Sequence, residues 1–534
     1  MEKKTFLKGA VILGIAGLMV QVFGAFFRIP LANIIGPSGM GYYQTAYPIY
    51  VFLLVFSTNG APAAISKMTS ERLAMGRLKD AHQVFKKSFV LMTGVGFVAF
   101  AAVFFGAETI VSAVGDPGAV MAMKAIAPAL LVVPIMSVYR GYFQGMQNMG
   151  PTATSQLLEQ GVRVAVGLTL AIVLMKESVA FAAAGATFGT SVGPVAGVLV
   201  LAVIYGRRRQ TLLQQQTEDV TSQGESSRKI MGTLLWIAVP ITIGVSILPI
   251  INLGDLLVVM KRLEGSGFSL EQANVLYGQL TGMAGPVINI PMALALSMAL
   301  SMVPAIAASN AAGDREFLKK NVQLGFRTAM IVGVPCSFGL IILAEPIMTL
   351  LYPMEMESAI SASNSLAYLA MGVIFLCVAQ TMAGTLQGLG RPGIAVMGLM
   401  LGFLVKLIGT YFLTGIPELN IDGAAIASAL AYTTVGIFNF SAVKALTGIR
   451  FDKNLTMLKP LLAGLVMFIA AGLVYRLLDG FLGNALACLL AIAIGAAVYG
   501  IVLLKIKGID SDEIKGFPKG EKIWKLLRKI KLVK

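Results

Sequence analysis

The stretch RGYFQGMQNMGPTATSQLLEQGVR, residues 140–163, lies between two long apolar runs, and VAVGLTLAIVLM (164–175) follows it at once. Pro151 and the glycines before it predict a turn. The residues after Pro151 begin a segment long enough to cross a bilayer as a helix. That segment carries Glu159 and Arg163, and an ionisable group at membrane depth costs at least about 2.5 kcal/mol. The stretch therefore predicts a turn at a membrane surface, followed by a helix that carries two charged residues in its first half.

The composition is typical of an integral membrane protein. Of the 534 residues, 57% are hydrophobic and 13% are charged, whereas soluble proteins carry about 25% charged residues. The formal net charge is +16, but the basic residues lie in loops and in the tail, as they do on the cytoplasmic side of membrane proteins. Because no soluble basic module is present, nucleic acid is not expected as a partner.

The residues that commonly bind metals are few. Cys336, Cys377 and Cys488 lie in apolar runs, where they are expected to be small core residues rather than disulfide partners or metal ligands. The single histidine, His82, is in a basic loop and is expected to be solvated. The long polar segments lack the phosphate-binding pattern GxxxxGK[ST]. The sequence therefore predicts no metal, no cofactor and no catalytic residue.

Fourteen apolar segments reach about 20 residues, the length that a helix needs to cross hydrocarbon, and none alternates like a membrane β-strand. The predicted fold is an all-α polytopic membrane protein with fourteen transmembrane helices. The segments lie near 7–30, 43–66, 88–107, 119–142, 152–175, 180–205, 230–256, 275–306, 318–343, 359–386, 393–414, 422–443, 458–478 and 484–504.

The distribution of basic residues predicts that both termini are cytoplasmic. With the N-terminus inside, the cytoplasmic segments hold 33 Lys and Arg residues and the outer loops hold 3, as the positive-inside rule requires. The tail, 507–534, places Ile523, Leu526, Leu527 and Ile530 on one helical face among lysines. It is either a basic amphipathic helix on the anionic inner leaflet or a solvated basic tail.

Two local matches indicate an internal repeat. GAPAAISK (60–67) resembles MVPAIAAS (302–309), and GYFQGMQNMGP (141–151) resembles GTLQGLGRP (384–392). The offsets, 242 and 243 residues, are nearly equal, so helices 1–6 are predicted to be duplicated in parallel as helices 7–12, as in alternating-access transporters. The predicted parts are a first lobe at 1–205, a polar cytoplasmic linker at 206–229, a second lobe at 230–446, two extra helices at 447–506 and the tail.

The repeat relates two cations in the predicted helices. Arg163 follows Pro151 by twelve residues, or roughly 18 Å at the helical rise, which is close to mid-membrane. Gln144 precedes Arg163 by 19 residues, and Gln387 precedes Lys406 by the same number. Arg28 and Asp255 form a second pair of charges that the repeat relates, of opposite sign and both towards the outer ends of their helices. Their equivalence is less close, because their offset differs from those of the two sequence matches.

These charges have two compatible interpretations. Glu159 and Arg163 could form an ion pair at i,i+4 that makes a buried helix tolerable. Alternatively, Arg28, Arg163 and Lys406 line a central cavity that attracts an anion, with Glu159 holding Arg163 in place. Supporting or coupling roles are assigned to Glu159, Asp255, Asn59 and Asn289, although the two asparagines could equally hydrogen-bond between helices.

The fourteen helices, the repeat and the run RGYFQGMQNMGPTATSQLLEQGVR together resemble the MOP flippase superfamily in its polysaccharide-biosynthesis branch. The likeness is greatest to the MurJ-type lipid II flippases and the stage V sporulation B proteins, and it covers essentially the whole chain. The resemblance implies two lobes in a V around a cationic cavity. It also implies that helices 13 and 14 form a groove for a polyprenyl tail.

The resemblance carries over to few residues. Arg28 in GAFFRIPLANIIGPSG occupies the position of an arginine in the first helix of MurJ-type proteins. Those proteins have a second arginine in helix 8, but YGQLTGMAGPVINIP (277–291) has no cation. The repeat therefore suggests Arg163 and Lys406 for that role.

The predicted function is export of an undecaprenyl-diphosphate-linked cell-wall precursor, lipid II or a related oligosaccharide, across the bacterial cell membrane. The partners are the lipid-linked diphosphate and membrane lipids, and a coupled monovalent ion stays open. The alternative is a cation-coupled multidrug exporter, which the excess of deep cations over Glu159 and Asp255 disfavours. A membrane-embedded enzyme is a further alternative, but the sequence lacks the paired outer carboxylates that it would need. The protein is therefore predicted not to be an enzyme.

Overall fold

The computed structural model describes residues 2–217, 222, 224–449 and 451–508, and the regular elements within them are all helical. The apolar face predicted for the tail, including Ile523 and Leu527, lies outside these residues. Short π-helical turns occur at Phe56–Gly60, Gly278–Ala284 and Asn454–Leu458, and a 3₁₀ turn at Pro117–Ala119.

Seventeen α-helices follow one another along the described chain. They are α1 (Glu2–Val55), α2 (Ala61–Ala74), α3 (Leu78–Val114), α4 (Val120–Gly145), α5 (Gly150–Leu174), α6 (Val179–Thr217), α7 (Ser227–Val245), α8 (Ile247–Gly265), α9 (Leu270–Tyr277), α10 (Gly285–Ala311), α11 (Arg315–Ile342), α12 (Ala344–Leu351), α13 (Met356–Met371), α14 (Val373–Gly388), α15 (Pro392–Leu413), α16 (Asn420–Thr447) and α17 (Lys459–Lys505).

Two of the longest helices are each interrupted by one non-helical glycine. In α1, Gly36 has φ 64° and ψ −177°, and in α17, Gly483 has φ 73° and ψ 161°. Side chains with a Cβ rarely adopt such angles, whereas glycine does so readily. The break in α17 falls between the predicted helices 458–478 and 484–504.

Within the described residues, 11 helices are long and apolar enough to cross a membrane. The number is 12 if α13 and α14, which are bent by 45° at Gly372, form one crossing. The all-helical, multi-pass architecture predicted from the sequence is confirmed, while the count of fourteen stays a prediction.

The contacts divide the chain into two compact units, and the domain boundaries predicted from the sequence stay a prediction. The first comprises Met1–Glu264 and Phe268–Gly282, and the second comprises Gly265–Gly267 and Met283–Lys534. Much of the predicted linker at 206–229 is helical, because α6 continues to Thr217. Its Arg, Gln and Leu residues are all good helix formers.

Each unit contains a pair of helices that a glycine allows to pack closely. Gly141 of α4 faces α2, where an added Cβ would lie 2.8 Å from the Pro62 carbonyl oxygen. Gly384 of α14 faces α10, where an added Cβ would lie 2.5 Å from the Ala299 carbonyl oxygen. Both glycines belong to the sequence matches that indicate the repeat, and both allow a neighbouring helix to approach closely. The repeat itself stays a prediction.

Candidate functional site

The candidate site lies in the first unit, where α5 and α6 pack at backbone distance. Pro151 is in the first turn of α5, where its missing N–H leaves no helical bond unmade. On α6, an added Cβ at Gly193 would lie 2.6 Å from the Glu159 carbonyl oxygen and 3.1 Å from the Arg163 Cβ. Glycine on α6 therefore permits the approach that fixes the backbone of Arg163.

Aromatic side chains of α1 surround the guanidinium of Arg163. Its Nη2 donates a hydrogen bond to the Tyr43 hydroxyl at 2.7 Å. Its Cζ lies 5.2 Å from the centre of the Tyr47 ring and 5.6 Å from that of the Phe27 ring. Both distances are within the range of a cation–π interaction.

Arg28 lies beside the same group. Its Cζ is 5.8 Å from the centre of the Tyr47 ring, so two guanidiniums lie close to one ring. Tyr47 is itself stacked on Tyr43, with ring centres 5.6 Å apart. Within the described residues, neither Arg28 nor Arg163 forms a salt bridge with a carboxylate. The cluster of Arg28, Arg163, Phe27, Tyr43 and Tyr47, called the arginine site below, therefore carries two positive charges that no ion pair balances.

The ion pair between Glu159 and Arg163, one of the two interpretations of these charges, is not formed: no salt bridge joins them within the described residues. The Glu159 carboxylate accepts from Arg140 Nη2 at 2.7 Å. Arg140, at the end of α4 that precedes the turn, reaches α5 and also donates from Nε to Ser155 Oγ at 3.0 Å. Glu159 therefore does not hold Arg163 in place, and the tyrosine hydroxyl does so instead.

The remaining predicted site residues lie on other helical elements, two of them in each unit. Lys406 is half-buried on α15 in the second unit, and Asp255 is buried on α8 in the first. Asn59 is exposed in a π-helical turn and donates to Thr58 Oγ1 at 2.9 Å, and Asn289 is exposed on α10. The structure thus brings together Arg28 and Arg163 within one unit. The roles predicted for the other residues stay predictions.

A second charged cluster was not expected from the sequence. The Glu225 carboxylate accepts from Arg72 at 2.5 Å and from Arg77 at 2.9 Å. Arg77 also pairs with Asp80 at 2.7 Å, and the Gly224 N–H donates to Asp80 at 3.2 Å. We call Arg72, Arg77, Asp80 and Glu225 the balanced cluster, since its two cations face two anions. It fastens the chain before α7 to the α2–α3 turn.

The prediction that His82 is solvated is wrong. His82 is on α3 and only 6% exposed. Its ring stacks on Tyr205 and Phe85, with centres 6.2 and 5.9 Å away, and its Nε2 is 3.4 Å from the Tyr205 hydroxyl. The helix begins earlier than the apolar run, so the residue that looked like part of a loop is in the core.

Asp116, between α3 and the 3₁₀ turn, is a buried carboxyl that sequence reasoning also missed. It is 3% exposed and accepts a hydrogen bond from Thr45 Oγ1 at 2.7 Å. Burial raises the pKa of Asp116 to about 6, although the Thr45 hydrogen bond lowers it. The described residues contain no group of three or more His, Cys, Asp or Glu side chains suited to a metal ion.

With many membrane-crossing helices, the chain is a multi-pass membrane protein. The sequence model of one family, described as polysaccharide biosynthesis protein, matches residues 6–310, and the MatE model matches residues 281–412. Because the first match spans more than half of the chain, the protein belongs to the polysaccharide biosynthesis protein family. The resemblance noted from residues 140–163 is thereby confirmed.

Curated relatives are similar over nearly their whole length. The chain is 28% identical over 534 residues to the uncharacterized membrane protein YabM of Bacillus subtilis (strain 168), covering 98% of this chain and 96% of YabM. It is 28% identical over 515 residues to the lipid II flippase MurJ of the same organism, covering 92% and 94%. Stage V sporulation protein B of that organism is 27% identical over 543 residues, covering 97% and 98%.

Solved structures share the fold. The lipid II flippase MurJ in an inward closed conformation aligns with a TM-score of 0.69 at 16% identity, covering 92% of this chain and 98% of that one. A multidrug resistance MATE family transporter of the MOP superfamily, in an inward-facing conformation, aligns with the same TM-score at 14% identity, covering 82% and 98%. At these identities the likeness shows the fold alone.

Proposed function

We propose that the protein is a flippase that exports an undecaprenyl-diphosphate-linked cell-wall precursor, lipid II or a related lipid-linked oligosaccharide, from the inner to the outer leaflet. The arginine site is the observation that carries the proposal, because it holds two cations that form no ion pair with a carboxylate in the part of the chain that the structure describes. The name of one relative, the lipid II flippase MurJ of Bacillus subtilis, supports the choice of substrate class.

The physical problem is to move a diphosphate through hydrocarbon. An isolated buried charge costs far more than a single contact returns, so a carrier must replace the water around it. Guanidiniums do this well, because their planar donors match phosphate oxygens in pairs. Tyr43 and Tyr47 hold the Arg163 guanidinium in one orientation, which reduces the ordering cost on binding. No bond in the substrate is broken, so the proposed role is transport rather than catalysis.

Fourteen crossings are part of the proposal. The helical span that contains α17 has 52 residues, or roughly 78 Å at the helical rise, which is more than twice the hydrocarbon thickness of about 30 Å. The same argument applies to α1, with 54 residues. We infer that the chain turns back at Gly36 and at Gly483, and that both termini are cytoplasmic.

Further elements of the proposal rest on sequence. Lys406 has the register of Arg163 in the predicted repeat, so we infer that it also binds the diphosphate, and that Arg28 does so with Arg163. Asp255, Asn59 and Asn289 are proposed as supporting residues. The two halves of α17 are proposed to hold the polyprenyl tail, and the basic tail of the chain to contact anionic lipid.

A cation-coupled multidrug exporter is the second candidate, favoured by the MatE match over residues 281–412. Such a pump needs membrane-embedded carboxylates that attract cations. The arginine site has the opposite charge, and Glu159 is neutralised by Arg140. Resistance to cationic drugs in cells that produce the protein would support this candidate.

Complementation tests the proposal. In bacteria depleted of their own lipid II flippase, the chain should restore growth, while Arg163→Ala and Lys406→Ala should not, at equal protein level. Glu177→Gln, at an exposed acid, serves as the control and should restore growth. Full growth with both alanine variants would refute the assignment of these residues. The proposal that the protein is a flippase would be refuted if the unaltered chain failed to restore growth and failed to export each available class of lipid-linked precursor.

A further inference from the structure

Glu159, the acid nearest to Arg163 in the sequence of α5, does not pair with it. Glu159 precedes Arg163 by four residues, and side chains at this spacing are neighbours, with Cβ atoms about 5–6 Å apart. A glutamate that precedes an arginine in this way normally pairs with it. Here the Glu159 carboxylate is instead bound to Arg140 at 2.7 Å.

Arg140 is anchored at two points on α5. Its Nε donates to Ser155 Oγ at 3.0 Å while its Nη2 donates to Glu159. Ser155 is completely buried, and its hydroxyl donates to the Thr152 carbonyl oxygen at 2.8 Å. The side chains of Arg140 and Glu159 are 15% and 16% exposed. Ion pairs that are partly shielded from water are stronger than pairs on an open surface, so Arg140 competes well for Glu159.

We propose that Arg140 is a positioning residue that keeps Glu159 away from Arg163 and so preserves Arg163 for an anionic ligand. This inference rests on the proposed function. It assigns to Arg140 control over the net charge of the arginine site, to which the following helix, α5, contributes Arg163.

The consequence of losing Arg140 follows from the contacts. Glu159 would be a largely buried carboxylate without a cation, which is unfavourable. The nearest alternative partner for Glu159 is Arg163, one helical turn away. The Nε of Arg163 is buried and has no hydrogen-bond partner within the described residues. On α6, Gly193 faces both residues and has no side chain to separate them. Pairing would satisfy both groups and would remove one of the two positive charges from the arginine site.

Binding of farnesyl diphosphate to the full-length protein in detergent tests the inference, with farnesol as the ligand that lacks the anion. Arg140→Gln should weaken farnesyl diphosphate binding about tenfold, since the ligand must then displace a carboxylate. Arg140→Gln/Glu159→Gln should bind within about twofold of the unaltered protein, because the competing carboxylate is gone. Arg140→Lys, which keeps the charge, should be intermediate.

Folding is measured separately, because breaking an ion pair can also destabilise the protein. The folded fraction of each variant is determined by thermal unfolding, and the dissociation constants are referred to folded protein. A merely structural role would reduce the binding of farnesol and of farnesyl diphosphate together. The inference predicts that farnesol binding by Arg140→Gln is unchanged.

Two results would overturn the inference alone: unaltered farnesyl diphosphate binding by Arg140→Gln, or equally weak binding by the single and double variants. Arg163→Ala separates these results from failure of the proposed function. If the unaltered protein binds farnesyl diphosphate no better than farnesol, or if Arg163→Ala binds it as tightly as the unaltered protein, the proposed function fails as well.

Discussion

The two charged clusters of the first unit differ in balance. In the balanced cluster, Arg72 and Arg77 face Asp80 and Glu225 at 2.5–2.9 Å. In the arginine site, Arg28 and Arg163 face aromatic rings and one tyrosine hydroxyl. The first cluster is complete without a ligand, whereas the second gains from an anion.

The difference shows how burial of charge separates structural roles from binding roles. Balanced, buried pairs fasten one segment to another, and they lose stability when one member is removed. Unbalanced cations at membrane depth are costly, and such residues commonly mark the path of a substrate or an ion. The predictions below alter one side of this comparison at a time, beginning with the largest effect.

Glu225→Gln should destabilise the protein most. Within the described residues it leaves Asp80 as the one acid of the cluster, and removing one member of a shielded ion pair is strongly destabilising. Thermal unfolding of the purified protein should show a large fall in midpoint, while the relative affinity for farnesyl diphosphate per folded molecule stays the same. Glu177→Gln is the control. An unchanged midpoint would mean that the cluster does not hold the structure.

Asp116 sharpens the comparison, because it is a buried acid that forms no ion pair with any of the residues the structure describes. Its pKa of about 6 exceeds the usual value of about 4, so the native state favours the protonated form. Protonation of Asp116 therefore contributes to the stability of the native state fully below about pH 4, and this contribution is lost as the pH rises through about 6. The loss is about 3 kcal/mol, and it levels off above pH 7. Asp116→Asn should remove this dependence from the unfolding midpoint measured between pH 4 and pH 8.

Thr45→Val gives the matched test. The Thr45 hydroxyl bonds the Asp116 carboxyl and lowers its pKa, so its removal should move the loss of stability to higher pH. If the unaltered protein and Asp116→Asn have parallel pH profiles, the buried carboxyl has no such effect.

Tyr43→Phe should have the smallest effect. It removes the hydroxyl that orients Arg163 but keeps the buried ring, so farnesyl diphosphate binding should weaken about threefold to tenfold with little change in unfolding midpoint. Tyr42→Phe is the control, since the Tyr42 hydroxyl makes no hydrogen bond within the described residues. Equal binding by both variants would show that Tyr43 does not orient the guanidinium.

Helices were largely predictable from the sequence, because apolar length and turn residues are local signals. The predicted segment 152–175 corresponds to α5, Gly150–Leu174. Bends were less predictable: the segment predicted at 359–386 is broken at Gly372 between α13 and α14. A break of one residue leaves the apolar pattern intact, so the pattern gives no sign of it.

The partners of charged residues were not predictable. Arg72 and Glu225 are 153 residues apart, and no local rule relates them. For Glu159, the i,i+4 spacing on a helix indicates Arg163 as the partner. The carboxylate instead binds Arg140, which is 19 residues earlier in the sequence, because the turn brings α4 beside α5. The sequence did single out Arg28 and Arg163 as unusual membrane charges. The tyrosines between them looked like ordinary apolar helix residues.

Exposure of lipid II at the outer face of the membrane is the most direct measurement of the central claim. It is measured in bacteria depleted of their own flippase that produce either the unaltered chain or Arg163→Ala at equal level. The account predicts that the unaltered chain restores exposure and that Arg163→Ala does not. Equal exposure with both proteins would contradict it.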